Sequence, residues 1–258
     1  MGIEVFNRYE KKFLIDEKKY ELLIEWLNDY MKEDAFNKDN GFYTICNLYY
    51  DTFSDELIKK SLSKPVYKEK LRLRSYGVPS IDTKAFLEIK KKYKGFVNKR
   101  RTSMSIKDAY DFVSTGNIPN EQPYHNGQVM KEIDFFLKNY DLTPKVYIAY
   151  DRKAFFNDDL RITFDTNIRT RRYDLALELG DHGDLLLDKG QWLMEIKVNN
   201  AYPLWLTKLL SELEIFPISF SKYGKEYIKQ LTTNTNFKGE YTICSNQYLA
   251  HQLVPQYL

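Results

Sequence analysis

Cysteine is nearly absent from this chain. Cys46 and Cys244 are the only two in 258 residues, so no disulfide framework is expected and a reducing cytoplasm is the simplest setting. The three histidines, His125, His182 and His251, are scattered. There is no His-Glu-x-x-His run, no nucleophile elbow and no Gly-x-x-x-x-Gly-Lys-Ser/Thr phosphate loop. Long apolar runs are missing too, and "MGIEVFNRYEKKF" lacks the hydrophobic stretch of a signal peptide or a membrane helix. No linker rich in Pro, Gly or Ser divides the sequence and no internal repeat is present. The "YTIC" at 43–46 and 241–244 is an isolated coincidence. One domain over 1–231 is expected, followed by a polar, weakly patterned extension over 232–258.

What is abundant is aromatic. Twenty-one Tyr and 16 Phe suit a strand-rich protein, because flat and branched side chains pack well on a pleated surface. Strand-like runs cover 4–13, 42–51, 66–76, 84–93, 96–104, 145–155, 160–166, 168–179 and 191–198, bounded by turn signals at Asp159, Gly180 to Gly183 and Lys189-Gly190. Helices are expected at 16–32, capped by Asp16, at 105–115, capped by Ser105, at 126–140, and from Pro203 through Leu213. Each has one apolar stripe. "GDHGD" at 180–184, lying between apolar runs, reads as a hairpin turn rather than a metal loop.

Net charge is only +3, but between Lys59 and Arg101 there are 15 Lys or Arg against Glu69, Asp82 and Glu88. That stretch carries +12 and the remainder −9. Because side chains alternate along a strand, "KLRLR" puts Lys70, Arg72 and Arg74 on one face and Leu71 and Leu73 on the other. The same division groups Arg8, Glu10 and Lys12; Glu88, Lys90 and Lys92; Tyr150 and Arg152; Arg161, Thr163 and Asp165; and Glu195 and Lys197. An ordinary sandwich would turn these faces to water. Their repetition of Arg and Lys, rather than mixed polar residues, calls instead for an anion. A closed antiparallel barrel in an α+β fold satisfies both faces, sending the cations into a lumen and the apolar residues outward beneath covering helices. Guanidinium groups grip phosphate oxygens with paired hydrogen bonds, and an isolated carboxylate among them suits a hard cation, Mg²⁺ or Mn²⁺. Glu195 is the first choice for that ligand, the alternative being a structural partner of Lys197 or of another lumen cation.

"RYEKKF", "KLRLRSYG", "LEIKKKYKG", "YDR", "RITFDT", "MEIKV" and "SFSKYG", in this order from Arg8 to Gly224, closely resemble the VTC domain, the polyphosphate polymerase module of the triphosphate tunnel metalloenzymes, in its stand-alone bacterial form. The resemblance implies a tunnel of antiparallel strands whose basic lumen binds ATP and polyphosphate with a divalent metal, typically Mn²⁺. It implies phosphate-binding roles for Lys12, Arg72, Arg74, Lys90, Arg152 and Arg161, with Arg8 and Lys197 on the same faces and Tyr150 beside Arg152. Ser221 and Lys222 would close one tunnel end, and Glu195 matches the metal-binding glutamate. The basic residue after the "YKG" turn is taken as Arg100, with Lys99 the alternative. Two family cations are missing: Ser61 or Lys60 stands where an arginine is usual, and Ser219 replaces a lysine.

Phosphoryl transfer asks a protein mainly to position groups and neutralise charge, which a ring of cations and one metal can do without a covalent nucleophile. Three activities fit: a polymerase moving the γ-phosphate of ATP to polyphosphate, a hydrolase of tripolyphosphate or nucleoside triphosphates, and a non-catalytic binder. Nucleic acid is not expected as a partner, since the cation faces are read as lacking aromatic stacking platforms.

Overall fold

The computed structural model describes residues 9–37, 41–94 and 96–236. Ten strands form one antiparallel sheet: β1 (Tyr9–Asp16), β2 (Lys32–Glu33), β3 (Tyr43–Thr52), β4 (Tyr67–Tyr76), β5 (Lys84–Tyr93), β6 (Phe96–Ser105), β7 (Leu142–Phe156), β8 (Leu160–Arg171), β9 (Asp184–Leu185) and β10 (Gln191–Val198). Six α-helices join them: α1 (Glu17–Tyr30), α2 (Glu56–Leu62), α3 (Ile106–Thr115), α4 (Gly127–Asn139), α5 (Leu204–Glu212) and α6 (Lys222–Asn236). Neighbouring strands run β1-β10-β8-β7-β3-β4-β5-β6, with β2 on β7 and β9 on β8.

The α+β architecture and the antiparallel sheet follow the alternation read from the sequence. Leu71, Leu73, Leu87 and Ile89 bury outward with Phe112 of α3 and Ile133 and Phe136 of α4. Phe13, Ile162, Phe164, Met194 and Ile196 bury outward under Leu23 and Leu27 of α1 and Leu206 and Leu209 of α5. Each such side chain contributes about 1.5–3 kcal/mol by leaving water. The helix starts are set locally. Asp16 accepts from the Lys19 amide at 2.8 Å and Ser105 from the Asp108 amide at 3.0 Å, satisfying donors that a first turn leaves bare.

Closure takes another form than a continuous hydrogen-bonded ring. The path ends at β1 and β6, and among the described residues no ladder joins them. The sheet nevertheless curls far enough that Lys90 of β5 lies within the electrostatic reach of Glu10 and Lys12 of β1 and of Glu195 of β10. Where β3, β7 and β8 meet on the concave face, the surface is apolar. Ile45, Val146, Ile148 and Ile168 pack there against Ile58 of α2 and Tyr223 and Tyr227 of α6.

Several local expectations are corrected. The runs 160–166 and 168–179 form one strand, β8, which stops at Arg171. Helices α2 and α6 were not foreseen: α2 is short, and α6 is polar and contains Gly224. α6 also continues past the boundary placed at 231, and the extension beyond Asn236 lies outside the described residues. The "GDHGD" segment is not the tight hairpin turn expected: it closes a long β8–β9 connection over 172–183 that includes a 3-10 turn at Leu177–Leu179, and Asp184 itself pairs with Thr170 as the first residue of β9. Gly183, at φ 156°, is required there because a Cβ would lie 2.8 Å from the Thr170 carbonyl oxygen.

Candidate functional site: a cation-lined lumen

One wall of the lumen comes from β3 to β6. Register places Arg72 opposite Tyr49 and Glu88, Arg74 opposite Asn47, and Lys70 opposite Lys90, all facing inward. Arg72 donates through Nε to Glu88 Oε2 at 2.8 Å and through Nη1 to the Tyr49 hydroxyl at 2.9 Å. Arg74 donates to Asn47 Oδ1 at 2.9 Å and lies 3.8 Å from Glu88. Lys99 completes the set, 2.8 Å from Glu88 Oε1. Glu88 is only 1% exposed. Burial alone would raise its pKa, but Arg72, Arg74 and Lys99 hold it far below the usual carboxylate range.

The choice between Arg100 and Lys99 falls to Lys99. Register pairs Lys99 with Lys90 on the inner face, whereas Arg100 opposes the buried Ile89 and turns outward, 2.7 Å from Glu132 of α4. A shift of one residue along a strand exchanges the faces, which is why the sequence assignment at this position is corrected.

The opposite wall comes from β7, β8, β10 and β1. Arg152 grips Asp165 with two bonds, 2.6 and 2.8 Å, and Lys222 at the start of α6 donates to the same carboxylate at 2.6 Å. Tyr150 lies between them, its ring centroid 5.1 Å from the Arg152 guanidinium and 4.2 Å from Lys222 Nζ. Arg161 donates to Asp34 Oδ2 at 2.7 Å. Glu195 pairs with Lys197 through Oε1 and lies 3.7 Å from Lys12 through Oε2. Burial opposes its charge, but Lys197, Lys12 and Arg152 keep it ionised well below the normal range. Lys12 also lies 3.6 Å from Glu10.

The segment after α5 crosses one opening. The Ile218 amide donates to the Lys12 carbonyl at 2.7 Å, Lys12 Nζ donates to the Phe220 carbonyl at 3.0 Å, and Lys70 Nζ donates to Ser221 Oγ at 3.3 Å. Phe220 and Ser221 thus bridge β1 and β4, and Lys222 reaches Asp165 of β8. Lys70 and Lys90 have no carboxylate within ion-pair distance among the described residues. Burial lowers both, Lys70 to about 8, with Lys68, Lys90 and Lys12 adding like charge around Lys70.

Of the residues singled out in the sequence, Lys12, Arg72, Arg74, Lys90, Tyr150, Arg152, Arg161, Glu195, Lys197, Ser221 and Lys222 are brought together around this lumen, and Arg8 lies outside the described residues. Sequence reasoning gave no role to Glu88 and Asp165, although the alternation had placed both on cation faces. It missed Asp34 and Tyr49 altogether. It also read the cation faces as free of aromatics, yet Tyr49 and Tyr150 share them. These two rings are held by hydrogen bonds of their hydroxyls to Arg72 at 2.9 Å and to Arg74 at 3.4 Å. Among the described residues no group of three or more His, Cys, Asp or Glu is placed to hold a metal.

The sequence matches the VTC domain family over residues 7–230, most of its length and the whole of the lumen just described. The chain belongs to the VTC domain family. Its fold is similar to that of a candidate adenylate cyclase from Bacillus halodurans, with a TM-score of 0.53 and 13% identity over 85% of this chain and 96% of that one. A candidate adenylyl cyclase from Hippeastrum, described as having a dominant triphosphatase activity, aligns with a TM-score of 0.48 and 16% identity over 83% of this chain and 92% of that one. No curated protein sequence matches the chain. Among the described residues of this VTC domain no helix is long and apolar enough to cross a membrane.

Proposed function

We propose that this VTC domain is a polyphosphate polymerase, moving the γ-phosphate of ATP onto the end of an inorganic polyphosphate chain in the cytoplasm. The observation that carries this reading is the pair Lys70 and Lys90: two half-buried lysines facing each other across β4 and β5 with no carboxylate partner described. Like charge is concentrated there at the expense of its own protonation, which a bound polyanion would reverse.

The remaining cations are pre-aimed. Glu88 and Asp165 each fix a guanidinium, of Arg72 and Arg152, so that these side chains need little reorganisation when phosphate oxygens arrive. In the transfer the bond from Pγ to its bridging oxygen breaks, ADP leaves with the electron pair, and a terminal phosphate oxygen of the chain bonds to Pγ. That acceptor oxygen is already deprotonated, so no general base is needed. The donor set suits one divalent ion: Glu195 Oε2 is held only loosely by Lys12, at 3.7 Å, and a Mg²⁺-type site takes one or two carboxylates with phosphate oxygens and water completing its shell. Bound there, Mn²⁺ or Mg²⁺ would supply further neutralisation of the γ-phosphate.

Incubation with ATP and Mn²⁺ followed by denaturing electrophoresis tests the proposal. A ladder of phosphate chains is expected. Orthophosphate without a ladder would assign hydrolysis of triphosphates to the same lumen, and binding of tripolyphosphate with no turnover would leave a binding protein. Affinity for tripolyphosphate should fall steeply with added salt, because each paired cation releases counterions from the polyanion.

A further inference from the structure

Beyond the cations, the inner face of the sheet continues into a cluster of aromatic rings that phosphate binding does not use. Tyr43 lies directly across from Arg152 in the β3–β7 register. Tyr76 follows Arg74 by two residues on β4, one inward-facing step of about 7 Å beyond it, and Phe86 of β5 lies directly opposite Arg74 on the same face. Phe36, from the loop after β2, joins them. Its ring centroid is 6.3 Å from that of Tyr43 and 6.1 Å from that of Tyr76, the latter pair nearly parallel at 17°, and Tyr76 meets Phe86 edge-on at 5.9 Å. Arg101 caps the group, its guanidinium 4.5 Å from the Phe86 ring centroid. Phe36 is 62% exposed and Tyr76 48%, whereas Tyr43 and Phe86 behind them are half-buried.

Inorganic polyphosphate has no apolar part and gains nothing from such rings. A nucleoside triphosphate has a polyanionic tail and a flat aromatic end, which are the two chemistries this continuous surface offers in sequence. We propose that Phe36, Tyr43, Tyr76 and Phe86, with Arg101, form a stacking site for the base of the nucleoside triphosphate donor at the mouth of the lumen. The proposal rests on the cation-lumen reading above and names its donor class. Recognition is by ring face, so a purine is favoured over a pyrimidine by stacking area and adenine is not separated sharply from guanine. A base held there directs the triphosphate inward, past Arg74 and Arg152 and toward Lys70 and Lys90.

The test compares ATP, GTP and CTP with inorganic tripolyphosphate, measuring affinity calorimetrically on the full chain and on Tyr76→Ala, Tyr76→Trp and Phe36→Ala. Both altered side chains are substantially exposed, and tripolyphosphate serves as the control for a folded lumen. Tyr76→Ala and Phe36→Ala should each weaken ATP and GTP by about tenfold, the scale of one lost base–aromatic contact. Tripolyphosphate affinity should stay unchanged, and Tyr76→Trp should retain or tighten nucleotide binding. Equal weakening of ATP and tripolyphosphate, or no change in either, would overturn the base site while leaving the lumen intact. If the unaltered protein failed to bind tripolyphosphate, the cation-lumen reading would fall, and the base site with it.

Discussion

Glu88 accepts from Arg72 Nε at 2.8 Å and lies 2.7 Å from its Nη2, on the inner face of two neighbouring strands. The carboxylate is 1% exposed and also serves Arg74 and Lys99, so a single buried charge organises one wall of the lumen. Truncating one member of a buried ionic group strands the others, at a cost of about 3–5 kcal/mol. Glu88→Ala should therefore lower the midpoint of thermal unfolding markedly, and tripolyphosphate should restore more stability to this variant than to the unaltered protein. An unshifted midpoint would show that the three cations do not depend on Glu88.

Arg72 and Glu195 separate positioning from metal chemistry. Arg72→Ala should weaken tripolyphosphate binding and ATP turnover in step, by about 1.5–3 kcal/mol for a lost charge-assisted contact. Glu195→Gln removes a carboxylate that repels the polyanion, so its metal-free affinity for polyphosphate should be retained or improved while Mn²⁺-dependent turnover is largely lost. Affinity measured with chelator present, beside the rate of ATP consumption with Mn²⁺, checks both. Unaltered turnover in Glu195→Gln would remove the metal role from this residue.

Lys99 and Arg100 are adjacent in sequence and face opposite ways. Lys99→Ala should weaken tripolyphosphate binding several-fold, whereas Arg100→Ala, whose partner is Glu132 on the outside, should leave it within error. The reverse order in a titration series would mean that β6 presents its other face to the ligand.

Burial lowers Lys70 to about 8 and Lys99 to about 7, whereas an unfolded chain holds its lysines near 10.4. Between those values the unfolded state binds more protons, so these two groups make the unliganded protein more stable as pH rises from about 7 toward 10. Ligand binding has the opposite dependence, because only the protonated lysines attract phosphate. Affinity for tripolyphosphate should fall from pH 7 to pH 9, with net proton uptake on binding near pH 8. Calorimetry in buffers of different ionisation enthalpy reads that uptake directly, and binding without proton exchange would contradict protonation of Lys70 by the ligand.

Much of this was legible along the chain because a strand has a period of two. Leu71 and Leu73 had to be buried, and that alone turned Arg72 and Arg74 to a common opposite face, as it did for Lys90 beside Ile89 and for Glu195 beside Ile196. The same rule explains where the reading slipped. "NKRR" carries cations at three consecutive positions, so composition cannot tell Lys99 from Arg100, and only the pairing of Lys90 with Lys99 decides between them. α6 is a different case. Its sequence is polar, and it docks because Tyr223 and Tyr227 fill the concave face where β3 and β7 are apolar, with the Tyr223 hydroxyl donating to the buried Asp51 at 2.9 Å.

The sequence by itself determined the strands, their inward cations and the outward stripes that the helices cover, because these depend on the near-neighbour geometry of a pleated backbone. Only the tertiary structure decided which cations are held by carboxylates and which are left for a ligand. Asp165 meets Lys222 across 57 residues and Asp34 meets Arg161 across 127, separations over which no local period carries information. Curvature of the sheet brings β5 to face β1 and β10, and the seam left between β1 and β6 is a property of that curvature rather than of any one strand.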